Sequence, residues 1–281
     1  MQKQLNCKVI DTSLGTIEYS SVGTGIPIVF VHGGHSNCRE KLSHKGFDQT
    51  KFRLITPSRP GYGKTPLKSN QTPERSASLI AALLDALSIE QVIVYGISAG
   101  GPTAVALAAH YPDKVFKLIL ACAVSKKWLD EDGKIYKTAQ LIFNPRIEKL
   151  NWGMVRFFSR IFPKVMARSF YPQFSRYPVH KLKKEDINEL ISSFKYFNSG
   201  QGFLNDIDQD LSESVIAKVK CPTLIIHSTN DSSVPLSHAK HLHELIENSE
   251  LEILDNEWGH LLWIGADATE SIAKTIRFIE K

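Results

Sequence analysis

Five residues, Gly96-Ile97-Ser98-Ala99-Gly100, stand between an apolar run, Val92-Ile93-Val94-Tyr95, and an Ala-rich helical stretch over residues 102–110. A strand that turns into a helix at a single residue forces strained backbone angles there, and small residues two before and two after Ser98 leave room for it. The serine hydroxyl then projects above the sheet edge, a geometry that presents a nucleophile to a substrate carbonyl. The bland alternative is a helix N-cap. On that reading the flanking glycines and the partner residues described below would be coincidence.

Around this turn the apolar pattern is that of an α/β sheet. Strands are expected at residues 7–10 and 16–22 as an antiparallel lead-in, then at 27–31, 53–56, 91–95 and 115–121, with helices at 73–87 and 99–111. The later strands are almost continuously apolar, as in a parallel sheet buried on both faces. Residues 126–215 change character: they are aromatic, basic and helical. Sheet patterning resumes with strands at 222–227 and 250–254 and helices at 235–247 and 266–279. The expected organisation is therefore one α/β core, residues 1–125 and 216–281, interrupted by a helical cap insertion over 126–215. With 281 residues and 42% apolar content the chain can bury a core of that size.

A serine hydroxyl is a poor nucleophile near neutral pH and needs a histidine base oriented by a carboxylate. Asp231 follows the expected strand at 222–227, and His260 follows the last strand in Trp258-Gly259-His260. Both fall at C-terminal strand ends, the edge where Ser98 stands and where open α/β sheets bind ligands. Asp130 is the rival acid, with Asp206, Asp208 and Asp210 behind it. Val31-His32-Gly33-Gly34 ends the third strand, so the amides of Gly34 and Ala99 are the expected oxyanion-hole donors. The His32 side chain is expected to tie down that loop. His35 and Cys38 either line the pocket or pack in the loop, His227 reads as a core histidine, and His238, His241 and His243 read as solvated on a surface helix.

The insertion is electrically polarised. Residues 126–184 hold fourteen Lys/Arg against four Asp/Glu, whereas residues 185–214 hold one against seven. Arg156, Arg160, Lys164 and Arg168 recur every four residues beside Trp152, Val155, Phe157, Phe158, Ile161, Phe162 and Val165, which gives a helix one basic and one aromatic face. Pro163 ends or kinks it. The aromatic face is expected to roof the pocket, Phe158 and Phe162 included, with the charges in water. Attraction of anionic substrates, a membrane surface and self-association are the other readings of the basic stripe.

At this point the chain resembles the α/β-hydrolase superfamily, and within it the capped serine hydrolases. The carrying motifs are His32-Gly33-Gly34, Ser58-Arg59-Pro60-Gly61-Tyr62-Gly63, Gly96-Ile97-Ser98-Ala99-Gly100-Gly101-Pro102, Tyr111-Pro112-Asp113-Lys114-Val115, Asp231-Ser232-Ser233-Val234-Pro235 and Gly259-His260. The resemblance implies a mostly parallel eight-stranded sheet flanked by helices, with a helical cap after strand six. It also implies that Ser98, Asp231 and His260, in that chain order, cleave a carboxylic ester or related acyl bond through an acyl-enzyme. Acyl transfer, carbon–carbon bond hydrolysis and a ligand-binding receptor remain the alternatives.

No metal or cofactor is implied by that chemistry, and the partner expected is a small, apolar acyl or ester compound. Cys7, Cys38, Cys122 and Cys221 are scattered without metal-type spacing and read as free thiols in a reducing compartment. The start, Met1-Gln2-Lys3-Gln4-Leu5-Asn6, has no apolar leader, and no run is long enough to span a bilayer. A cytoplasmic monomer or homodimer is expected. The net charge of +5 is mild and no nucleic-acid-binding module is recognised, so nucleic acid is not an expected partner.

Overall fold

A computed structural model describes residues 5–178 and 182–281. Residues 1–4, to which the reading of the chain start applies, and residues 179–181 of the expected insertion lie outside the described residues. The core begins with β1 (Cys7–Thr12), β2 (Gly15–Gly23), β3 (Ile26–Val31) and β4 (Phe52–Pro57), then α1 (Pro73–Ala86), β5 (Val92–Ile97), α2 (Gly101–His110) and β6 (Val115–Ala121). Among the described residues six helices follow: α3 (Lys134–Ile142), α4 (Glu148–Ile161), α5 (Pro163–Phe174), α6 (Lys184–Phe194), α7 (Gly202–Asp208) and α8 (Glu213–Ile216). The core closes with β7 (Thr223–Ser228), α9 (Ser237–Leu245), β8 (Ser249–Leu254) and α10 (Ala268–Glu280).

The eight strands form one sheet in the order β1-β2-β4-β3-β5-β6-β7-β8. Pairs β1–β2 and β2–β4 are antiparallel and every other pair is parallel. Side chains that alternate along each strand fill two cores. On one face Val29, Val31, Val92 and Val94 pack with α1, α2 and α9 through residues such as Leu84, Val105 and Leu242. On the other, Ile28, Phe30, Ile93 and Tyr95 pack with Phe47, Trp263 and Phe278. Burial on both faces explains why these strands read as continuous apolar runs. In register, Val31 pairs with Gly96 and Ile97 with Ala121, so β3, β5 and β6 end level and their following loops converge.

Helix α1 starts where its chemistry says it should. Thr72 accepts a hydrogen bond from the Arg75 amide, and Pro73 takes the first helical position, where no backbone donor is needed. Among the described residues between β6 and β7 there is no strand, only a single bridge between Ser175 and Asp231.

Two expectations are corrected. Cys7 and Cys38 are joined by a disulfide, which ties the edge strand β1 to the loop after β3; only Cys122 and Cys221 are free. The cysteine argument for a reducing compartment therefore fails for that pair, because two residues 31 positions apart meet only through the β1–β2 hairpin. His238 is buried rather than solvated: its Nδ1 accepts from the Ser125 amide at 3.1 Å, and burial lowers its pKa to about 4. No helix among the described residues is long and apolar enough to cross a membrane.

Candidate active site

The turn at Ser98 is strained as its sequence requires, with φ of 50°. The following helix begins so close to β3 that a Cβ on Gly100 would lie 2.2 Å from the Val31 carbonyl oxygen, and one on Gly96 would lie 2.5 Å from Ala104 Cβ. Only glycine permits both approaches. The Ser98 carbonyl accepts from the Val124 amide at 3.0 Å, which fixes the turn against the end of β6. Gly33 faces the serine: a Cβ there would stand 3.0 Å from Ser98 Cβ and 3.6 Å from Ser98 Oγ.

Asp231 and His260 meet at the ends of neighbouring strands, with His260 Nδ1 2.7 Å from Asp231 Oδ2. The other carboxylate oxygen accepts from the Ser233 and Val234 amides, each at 2.8 Å. Burial pushes the Asp231 carboxyl up, but the charge and hydrogen bond of His260, the charge of His227 and the Val234 amide outweigh it. The net shift is downward, so the group is an anion over the working pH range. Among the described residues no hydrogen bond joins Ser98 Oγ to His260. Such contacts commonly tighten only when substrate is bound.

The insertion positions both loops of this pair. Phe174, the last residue of α5, offers its carbonyl to the His260 amide at 2.9 Å, and the Ser175–Asp231 bridge holds the acid loop. Gly259 has φ of +52°, and a Cβ on it would lie 2.5 Å from that same Phe174 oxygen. A side chain before His260 would thus push the base off its anchor.

Two buried groups that sequence reasoning did not connect to the acid lie against it. His227 Nε2 is 3.4 Å from Asp231 Oδ2 and 2.9 Å from the Val234 carbonyl, while burial lowers its pKa. The Cys122 thiol hydrogen-bonds to Asp231, and burial together with that carboxylate drives its pKa well up, so it stays protonated. Cys122, His227 and Asp231 each place a possible ligand atom within 4.8 Å of the others. A protonated thiol and a carboxylate already engaged by His260 and two amides make this trio the setting of the acid rather than a metal site.

The loop after β3, where the oxyanion donors are expected, is held by a network that joins it to α7. Arg59 donates from Nε to the His32 carbonyl at 2.7 Å, from Nη2 to the Gly33 carbonyl at 3.3 Å, and from its backbone amide to His32 Nε2 at 3.0 Å. The same guanidinium grips Asp206 of α7 with both ends, at 2.6 and 2.7 Å, and Tyr62 donates its hydroxyl to that carboxylate at 2.5 Å. Burial opposes the Arg59 charge but Asp206 more than restores it. Burial and the Arg59 charge hold His32 neutral, so it ties down the loop as expected.

Asp206 is therefore committed to Arg59 and does not touch His260. Of the other rival acids, Asp208 accepts from the Tyr136 hydroxyl, Asp210 accepts from the Leu211 amide, and Asp130 is exposed.

Beside Gly34 stands an aromatic group. A Cβ on Gly34 would lie 3.0 Å from the Phe203 ring, whose centroid is 3.8 Å from that of His35. Phe143 and Trp152 pack on the same imidazole. His35 Nδ1 and Trp152 Nε1 both reach Ser199 Oγ at 2.8 Å, and burial lowers the His35 pKa to about 3. His35 is thus packed among Phe143, Trp152 and Phe203 beside Gly34. The expectation that Phe158 and Phe162 roof a pocket is corrected: they face outward, about half exposed. The helical period identifies an apolar stripe on α4 but not which of its faces the core covers.

A family model described as "alpha/beta hydrolase fold" matches residues 26–266. An uncharacterized hydrolase of Bacillus subtilis (strain 168), YcgS, is 39% identical over 95% of this chain and 95% of its own length. The human serine hydrolase BPHL is 26% identical over 75% of this chain and 64% of its own. Among solved structures, an alpha/beta hydrolase fold protein from Nakamurella multipartita superposes with a TM-score of 0.76 at 26% identity, covering 97% of this chain and 98% of that one.

Proposed function

Because the chain belongs to the alpha/beta hydrolase fold family, we propose that this hydrolase cleaves a carboxylic ester or related acyl bond through an acyl-enzyme on Ser98. The observation that supports the reading is that the strained Ser98 turn and the buried Asp231–His260 pair follow parallel strands on the same C-terminal edge of the sheet. Ser98 Oγ attacks the acyl carbonyl while His260 Nε2 takes its proton, and Asp231 holds the imidazole in the required tautomer. The amides of Gly34 and Ala99 receive the oxyanion. His260 then returns the proton to the leaving alcohol. A water molecule, deprotonated in turn by His260, releases the acid and restores the serine.

Residues 126–215 act as a cap in this reading, and His35, Phe143, Trp152 and Phe203 form the wall against which an apolar acyl or alcohol group rests. The desolvated, neutral His35 supports that role. The test is covalent labelling. A fluorophosphonate should label one residue, Ser98, and Ser98→Ala should abolish both labelling and p-nitrophenyl ester turnover with the thermal transition unchanged. Undiminished labelling of the Ala variant would refute the assignment.

A further inference from the structure

Helix α4 is apolar on the side it turns away from the protein. Its inward positions are Glu148, Trp152, Val155 and Ser159, spaced four, three and four apart. The opposite face repeats that spacing with larger side chains: Leu150, Met154, Phe157, Phe158 and Ile161, between 43% and 65% exposed. Phe162 and Val165 continue it into α5. Exposed apolar side chains are ordinary when scattered, but a stripe of seven along about four turns marks a contact surface.

The charge beside the stripe identifies the contact. Between residues 133 and 178 the sequence has nine Lys/Arg and one carboxylate, Glu148, which is buried. Lys149, Arg156 and Arg160 follow each other at helical spacing along one flank of the stripe, with Lys164 beyond them; Arg156 is half-buried and donates from Nη1 to the Phe197 carbonyl at 3.0 Å, so Lys149, Arg160 and Lys164 are the outward cations. Among the described residues no acidic side chain forms an ion pair with any of these four. A helix with large apolar side chains on one face and uncompensated cations at its margin matches a lipid–water interface, where the apolar groups enter the acyl boundary and the cations meet anionic headgroups. A second copy would bring the same sign of charge to both sides of the contact. Nucleic acid would leave the apolar stripe uncovered.

We infer that the outer face of α4 and the start of α5 docks this protein on an anionic lipid surface. The inference does not depend on the roles given to Ser98, Asp231 and His260. The full chain should float with vesicles of phosphatidylcholine and phosphatidylglycerol at low salt, float much less with phosphatidylcholine alone, and be released by added salt. Each cation near the surface contributes about a fivefold factor, so Arg160→Gln/Lys164→Gln should weaken binding by about 25-fold. Phe157→Ser/Ile161→Ser should weaken it at least as much. Both variants should keep the parent thermal transition and fluorophosphonate reactivity.

As an independent reading, Phe157→Trp should show a blue shift of its emission with anionic vesicles. Absence of flotation with anionic vesicles at low salt, or equal flotation of parent and variants, overturns the inference. So does a dimer in sedimentation velocity that Phe157→Ser/Ile161→Ser converts to monomer without any vesicle binding by the parent, since a second copy would then cover the face.

Discussion

Replacing Asp206 by Asn tests how α7 is tied to the loop after β3. The perturbation keeps side-chain volume and removes one charge from a pair in which each side chain is only 2% exposed. Arg59 would retain the His32 and Gly33 carbonyls but lose its counter-ion, and the Asn amide nitrogen would face guanidinium donors. Breaking a buried pair from one side costs about 3–5 kcal/mol, because the remaining charge is uncompensated in a low-dielectric site. That is a large share of the roughly 5–15 kcal/mol that holds a domain folded. Urea unfolding monitored by tryptophan fluorescence measures it directly.

Arg59→Met alone should cost a similar amount, and in a double-mutant cycle the coupling between the two sites should exceed about 1 kcal/mol. Because Arg59 reaches the loop through its His32 and Gly33 contacts, ester kcat in Asp206→Asn should fall more than KM rises. If Asp206→Asn stays within about 1 kcal/mol of the parent and keeps its kcat, the pair is not the anchor described.

Asp231→Asn should lower ester turnover by about four orders of magnitude through the wrong imidazole tautomer, whereas Asp130→Asn should leave it within about twofold; steady-state kinetics distinguish them. Stability should fall with acid. His35 and His44 have pKa values of about 3 and His238 about 4, against an ordinary 6.5, chiefly through burial, with the charges of Lys41 near His44 and Lys126 near His238 adding to it. The unfolded chain therefore binds protons that the native state refuses over the window from about pH 6.5 down to those values. That term is present above pH 6.5 and costs about 2 kcal/mol per histidine between pH 7 and 5, read from urea midpoints; an unchanged midpoint at pH 5 would refute it. Phe203→Ala opens space beside Gly34 and should shift p-nitrophenyl ester preference toward longer acyl chains by roughly tenfold, while Phe158→Ala leaves the preference unchanged.

The legible part of this protein is local in sequence. A strand, a turn of small residues and a helix occupy about twenty consecutive positions, so the Ser98 turn, the continuous apolar strands and the antiparallel β1–β2 lead-in could be read from patterning alone. Asp231 and His260 were also within reach, because each follows a strand of recognisable period by a few residues. The absence of a strand among the described residues between β6 and β7 was legible for the same reason.

What patterning could not supply was the pairing of distant segments. Arg59 and Asp206 are 147 positions apart, and a lone arginine in a turn carries no sign of which carboxylate it will meet. Cys7 and Cys38 look unpaired until the hairpin brings them together. His227 and Cys122 bracket Asp231 because β6 and β7 are neighbours in the sheet, an adjacency set by strand order. Helix α4 shows the limit most clearly. Its sequence contains an inward stripe with Trp152 and an outward stripe with Phe157 and Phe158, and periodicity gives both the same weight. Sequence alone determined that such faces exist, since helical period and residue type are properties of adjacent positions. Which face is buried, which acid meets the histidine and which cation holds the loop after β3 depended on the packing of segments far apart in the chain, where burial and desolvation are decided.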